Sequence, residues 1–139
     1  METGKQEAQA IALLRRAYES FNRGDIADAV KDLDPEIEWT EPTSFPGGGT
    51  YHGQKGVAQY LTQSRAGWAE GRSEPERFVT AGNRVVVLVH AHIRVQGSSD
   101  WRDVSLADVY TFHNGKPIQM RAFADRQEAL DWAGAKESL

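Results

Sequence analysis

Two carboxylates stand where apolar side chains are expected. In E-I-E-W-T-E-P, residues 36–42, strand alternation puts Ile37, Trp39 and Glu41 on one face. In L-A-D-V-Y-T-F, residues 106–112, the same period sets Asp108 between Leu106 and Tyr110, with Phe112 next on that face. A bare carboxylate in apolar surroundings is costly and tends to keep its proton. Two acids whose pKa values are pushed apart supply a general base and a hydrogen-bond donor for a developing oxyanion. Glu41, at a strand end beside a glycine-rich loop, is expected to be the wetter acid and the base. Asp108 is expected to be raised by desolvation and to donate. A structural reading stands beside this one: Glu41 points to water, and Asp108 pairs with Arg94, Arg121 or a histidine.

His90 and His92 are two apart on a predicted strand and share a face. They suit hydrogen bonding in a pocket or a satisfied place in the core. With Asp108 they could begin a metal site, but His52 and His113 fall in predicted turns and no third neutral ligand has local spacing. No metal and no cofactor is expected. Trp39, Tyr60, Trp68, Tyr110 and Phe112 could wall a substrate site or simply fill the core.

Composition narrows the classes. The chain has 139 residues, net charge −4 and no cysteine. Without cysteine there is no disulfide, thiolate nucleophile or cysteine zinc site. No block of Lys or Arg stands out, so neither nucleic acid nor an anionic membrane is an expected partner. No apolar run approaches the ~20 residues of a membrane span, and the N-terminus has no signal-like apolar stretch. A cytoplasmic protein with a single domain, 1–139, is expected.

The elements that must position these residues follow from periodicity. Thr3 and Gln6 have capping-box spacing ahead of a helix carrying Ile11, Leu14, Tyr18 and Phe21. Gly24 fits just past its end, and Asp25 can cap a short second helix. A strand spans 36–41. Residues 42–53, with two prolines and four glycines, read as a lid-like loop and lack the pattern of a phosphate-binding loop. A third helix carries Val57, Tyr60, Leu61 and Trp68. An antiparallel meander follows: a strand through Phe78 and Val79, then 84–95, 101–112 and 116–124, with Asn114-Gly115 as a hairpin turn. Asp125 can cap a last helix. The order predicts an α+β fold with helices gathered on one face of a curled sheet, leaving a cone-shaped cavity. Both faces of 84–95 are apolar until the histidines, which predicts a homodimer through the outer sheet face.

The element order, the N-R-G-D helix junction, W-T-E-P, and D-V-Y-T-F-H-N-G-K-P-I-Q-M-R-A-F-A-D resemble the SnoaL-like and ketosteroid isomerase-like proteins of the nuclear transport factor 2-like superfamily. The resemblance implies a cone-shaped, cystatin-like fold: a curved antiparallel sheet wrapped around N-terminal helices. It places Glu41 where steroid isomerases have their aspartate base, and Asp108 where they have their protonated oxyanion-hole aspartate. Their oxyanion tyrosine falls near Ala17, next to Tyr18. The arginine and aspartate of limonene-type epoxide hydrolases fall at His90 and His92. A further aspartate of those enzymes, like the acid/base aspartate of SnoaL-type cyclases, falls near Ala122.

Together these readings describe a pocket for an apolar small molecule. Glu41 and Asp108 are the candidate catalytic pair, in cofactor-free isomerisation or cyclisation by proton transfer next to a carbonyl. Trp39, Tyr18, Tyr60, His90, His92, Tyr110 and Phe112 are the candidate substrate-binding residues. A non-catalytic binding module is the alternative.

Overall fold

The computed structural model describes residues 2–137 and 139, without the side chains of Glu2 and Thr3. The expected Thr3–Gln6 capping box therefore lies outside the described residues. Helix α1 (Glu2–Asn22) leads through Gly24 into α2 (Ile26–Val30), whose cap Asp25 accepts from the Asp28 amide at 3.1 Å. Strand β1 (Glu38–Glu41), β2 (Gly49–His52) and α3 (Gly53–Ala66) follow. Four long or medium strands come next: β3 (Trp68–Ala81), β4 (Arg84–Val95), β5 (Arg102–His113) and β6 (Lys116–Phe123). Helix α4 (Arg126–Ala133) closes the chain, and its cap Asp125 accepts from the Glu128 amide at 3.0 Å.

The strands form one curved, unclosed sheet in the order β2-β1-β6-β5-β4-β3. Only β1 with β6 is parallel; every other neighbouring pair is antiparallel. Asn114 (φ 52°) and Gly115 (φ 79°) both adopt positive φ at the β5–β6 turn, as a type I′ hairpin requires.

The two faces of β4 have different covers. Val85, Val87 and Val89 face inward and pack with Leu14, Val57, Tyr110 and Met120. Val86 and Leu88 face outward, under Ala129, Leu130 and Ala133 of α4. This corrects two expectations. The helices are not all on one face, and the apolar outer face is covered by the chain's own last helix. Val85, Val87, Val89 and Ile93, the residues that suggested a dimer, lie on the inner face. Among the described residues, no helix is long and apolar enough to cross a membrane.

One strand was not anticipated, and another starts earlier than expected. Residues 49–52, expected in a loop, pair with β1 as β2. Trp68, expected in α3, begins β3.

Candidate functional site

The inner face of the sheet, with α1 and α3 and the 42–48 loop, encloses a cavity of about 550 Å³. That size suits a small organic ligand. Tyr18, Trp39, Glu41, Tyr60, Asp108 and Tyr110 all line it.

Register explains why the acids meet. Asp108 on β5 pairs with Ala122 on β6, while Thr40 on β1 pairs with Arg121. Continuing that parallel register brings Glu41 to the other side of Ala122. The buried alanine is too short to separate two carboxyls that flank it across three neighbouring strands. Glu41 and Asp108 are each only 9% exposed.

Each acid has a protein donor. Trp39 Nε1–H donates to Glu41 Oε2 at 2.8 Å. The Tyr18 hydroxyl donates to Asp108 Oδ2, and the Tyr110 hydroxyl donates to Tyr18 at 3.2 Å. The Tyr18 and Tyr110 rings meet edge-on with centroids 6.4 Å apart, and Trp39 meets Tyr110 likewise at 6.1 Å. Arg94 and Arg121, offered as partners for Asp108, are engaged elsewhere: Arg94 with Glu70, and Arg121 over the Phe123 and Trp132 rings.

Burial dominates the electrostatics. It pushes Asp108 up to about 6, against the lowering effect of the Tyr18 hydrogen bond. It pushes Glu41 higher, to about 8; the negative charge of Asp108 adds to this, while hydrogen bonds from Trp39 and Tyr60 oppose it. Burial also raises the Tyr18 and Tyr110 hydroxyls well above the usual phenol range, so both stay donors. Glu41, expected to be the wetter acid, is thus buried to the same extent as Asp108, and both are held above the usual carboxylate range. Phe45 and Pro46 of the following loop turn back to line the same cavity. Gly48 permits that turn: a Cβ there would lie 2.2 Å from the Pro42 carbonyl oxygen.

Three expected binding residues lie elsewhere. His90 and His92 share the outward parity of Val86 and Leu88. His90 is half-buried and His92 exposed, each with a ring nitrogen 2.8 Å from Asp103 Oδ1, and His92 stacks on Trp101 at 4.5 Å. Phe112 packs against the inner core but does not line the cavity. It keeps the inner parity but sits at the far end of β5, where its amide donates to the Asn83 carbonyl at 2.8 Å. Among the described residues, no group of three His, Cys, Asp or Glu side chains is arranged to hold a metal ion. Sequence reasoning missed Phe45 and Pro46, which carried no periodic signal. It also missed Arg102, which shares the strand parity of Asp108 and lines the cavity.

The fold has counterparts among known proteins. The chain belongs to the SnoaL-like domain family, whose model matches residues 14–120. An NTF2-like protein of unknown function from Burkholderia pseudomallei is similar at 26% identity, with TM-score 0.76 over 91% of this chain and 98% of that one. TerC, solved with polyporic acid, is similar at 22% identity, TM-score 0.75, over 91% and 99%. A protein from Jannaschia sp. CCS1, described as a SnoaL-like polyketide cyclase, has 17% identity and TM-score 0.73 over 94% of each chain. No curated protein matches this sequence at a significant level.

Proposed function

We propose that this protein binds an apolar small molecule bearing a carbonyl or phenol, and that Glu41 and Asp108 move a proton next to that carbonyl. The observation that carries the reading is the pair of buried carboxyls bordering one apolar cavity of about 550 Å³. Burial raises both acids, and a negative charge on Asp108 helps Glu41 keep its proton, so one acid of the pair can accept a proton while the other donates. In this assignment Asp108 takes a proton from the carbon beside the carbonyl. The C–H electron pair moves into the enolate, and protonated Glu41 donates to its oxygen. Return of the proton to a different carbon gives isomerisation. Attack of the enolate carbon on a second carbonyl gives cyclisation. The sequence alone suggested the reverse roles. A polyketide cyclase and a protein crystallised with polyporic acid on the same fold are consistent with an oxygenated, ring-bearing ligand.

One observation favours the alternative of a binding module. Both acids already accept from protein donors, and among the described residues no buried side-chain nitrogen or oxygen lacks a partner. Deuterium exchange at the α-carbon of tetralone, followed by NMR, separates the two. The enzyme reading expects exchange that Asp108→Asn and Glu41→Gln each slow by about 10²-fold or more. Quenching of tryptophan fluorescence by naphthol with no accelerated exchange would leave the module.

A further inference from the structure

We infer that the ligand of this cavity carries a carboxylate at the end away from its carbonyl or phenol, and that Arg102 receives it. The inference rests on the cavity being the ligand site.

Arg102 lies on the inner face of β5, in line with Val104, Leu106 and Asp108, and it borders the same cavity. Its register partner is Ile93, and the residues that surround this end, Trp68, Ile93, Val95 and Val104, are apolar. The other arginines are committed. Arg16, Arg94 and Arg126 are among those that hold carboxylates, Arg65 and Arg84 hold backbone oxygens, and Arg15 lies over the Phe78 ring. Arg23, Arg72, Arg77 and Arg121 likewise have charged or aromatic partners. Among the described residues, Arg102 alone has no hydrogen bond, ion pair or aromatic ring.

The nearby carboxylates are also taken. Glu70 is held by Arg94 and Glu74 by Arg72, and Asp103 sits on the opposite face with His90 and His92. A guanidinium is a rigid fork of donors that matches a carboxylate in two-point contact. Arg102 is exposed at the water-facing end of the cavity, and an unpaired guanidinium at that mouth is a site for such a group.

Position sets the ligand's shape. Arg102 and Asp108 are six residues apart on one strand, ~20 Å of backbone at the usual rise. The arginine stem reaches back over part of that span. A ligand that touches both must be elongated, with an apolar middle.

The test uses three probes: naphthol, a hydroxynaphthyl-pentanoic acid and the primary amide of that acid. All are read by quenching of tryptophan fluorescence. With the intact protein the acid should bind about tenfold or more tighter than the amide. The ratio should shrink at high ionic strength, because this end of the cavity meets water. In Arg102→Met the ratio should fall toward one, since only the acid loses a partner. Arg102→Lys should restore part of it, and thermal melts of both variants establish that they are folded. Equal binding of acid and amide to the intact protein overturns the inference but leaves the pocket reading in place. A ratio that survives Arg102→Met also overturns it, by pointing to another cation. Binding of naphthol but of neither longer probe overturns it too. If not even naphthol binds, the pocket reading and this inference fall together.

Discussion

Asp103 and Asp108 sit on the same strand with opposite parity, and each accepts a hydrogen bond from aromatic side chains. Asp103 meets His90 and His92 in water, and those hydrogen bonds hold it below the usual carboxylate range. Asp108 meets Tyr18 inside the cavity, and burial carries it the other way. The partners are of similar kind; the solvent is what differs. A hydrogen bond lowers a carboxyl's pKa only while desolvation does not outweigh it. Parity along β5 therefore decides which aspartate can hold a proton near neutral pH.

The largest expected effect on this contrast is in stability against pH. Glu41 has its folded value, about 8, above its ordinary 4.5. Its contribution is fully present below the ordinary value and is lost as pH rises through the folded one. Asp108 acts in the same sense between 3.8 and about 6. Unfolding free energy should therefore fall by a few kcal/mol on the order-of-magnitude scale between about pH 4 and 8. Glu41→Gln should flatten the upper part of that fall in urea titrations. An equally steep fall in the variant would remove Glu41 as its source.

A smaller effect tests the coupling across Ala122. Asp108→Asn removes the charge that raises Glu41, so Glu41 should titrate lower, by about one unit. Carboxyl-carbon NMR reads this directly, and an unmoved Glu41 would mean that burial alone sets its value. Smallest of all is the outer face. Asp103→Asn should leave naphthol affinity and tetralone exchange unchanged. A loss of either would show that the two faces are not independent.

Much of the frame was legible in the sequence. Strand 84–95, the Asn114-Gly115 turn and the Asp25 and Asp125 caps appear where pattern and turn chemistry put them. The missed strand β2 and the underestimated β3 lie at sheet edges. Gly71 and Pro75 in β3 read as loop signals, and an edge strand tolerates them because its outer side needs no ladder. The faces of β4 were harder. Both are apolar, and parity alone does not say which one α4 covers, so His90 and His92 were assigned to the wrong side. Phe112 is on the expected face but beyond the end of the cavity, and alternation gives the face of a residue without saying how far along the strand the cavity runs. Glu41 was expected to be the wetter acid because a glycine-rich stretch gives no sign that Phe45 and Pro46 fold back beside it.

The parallel pairing of β1 with β6 also bears on how the protein comes into being. Glu38 and Gln119 are neighbours in the sheet although they are 81 positions apart. The β3–β6 meander can zip by short hairpins, but β1 must wait for a partner near the far end of the chain. Contacts of such separation carry a high closure entropy and slow the search. During synthesis, Glu41 gains its neighbour across Ala122 only after β6 has emerged. Until then Trp39 and its acid belong to a two-stranded β1–β2 ribbon with one open edge, and the wall that Glu41 shares with Asp108 is incomplete.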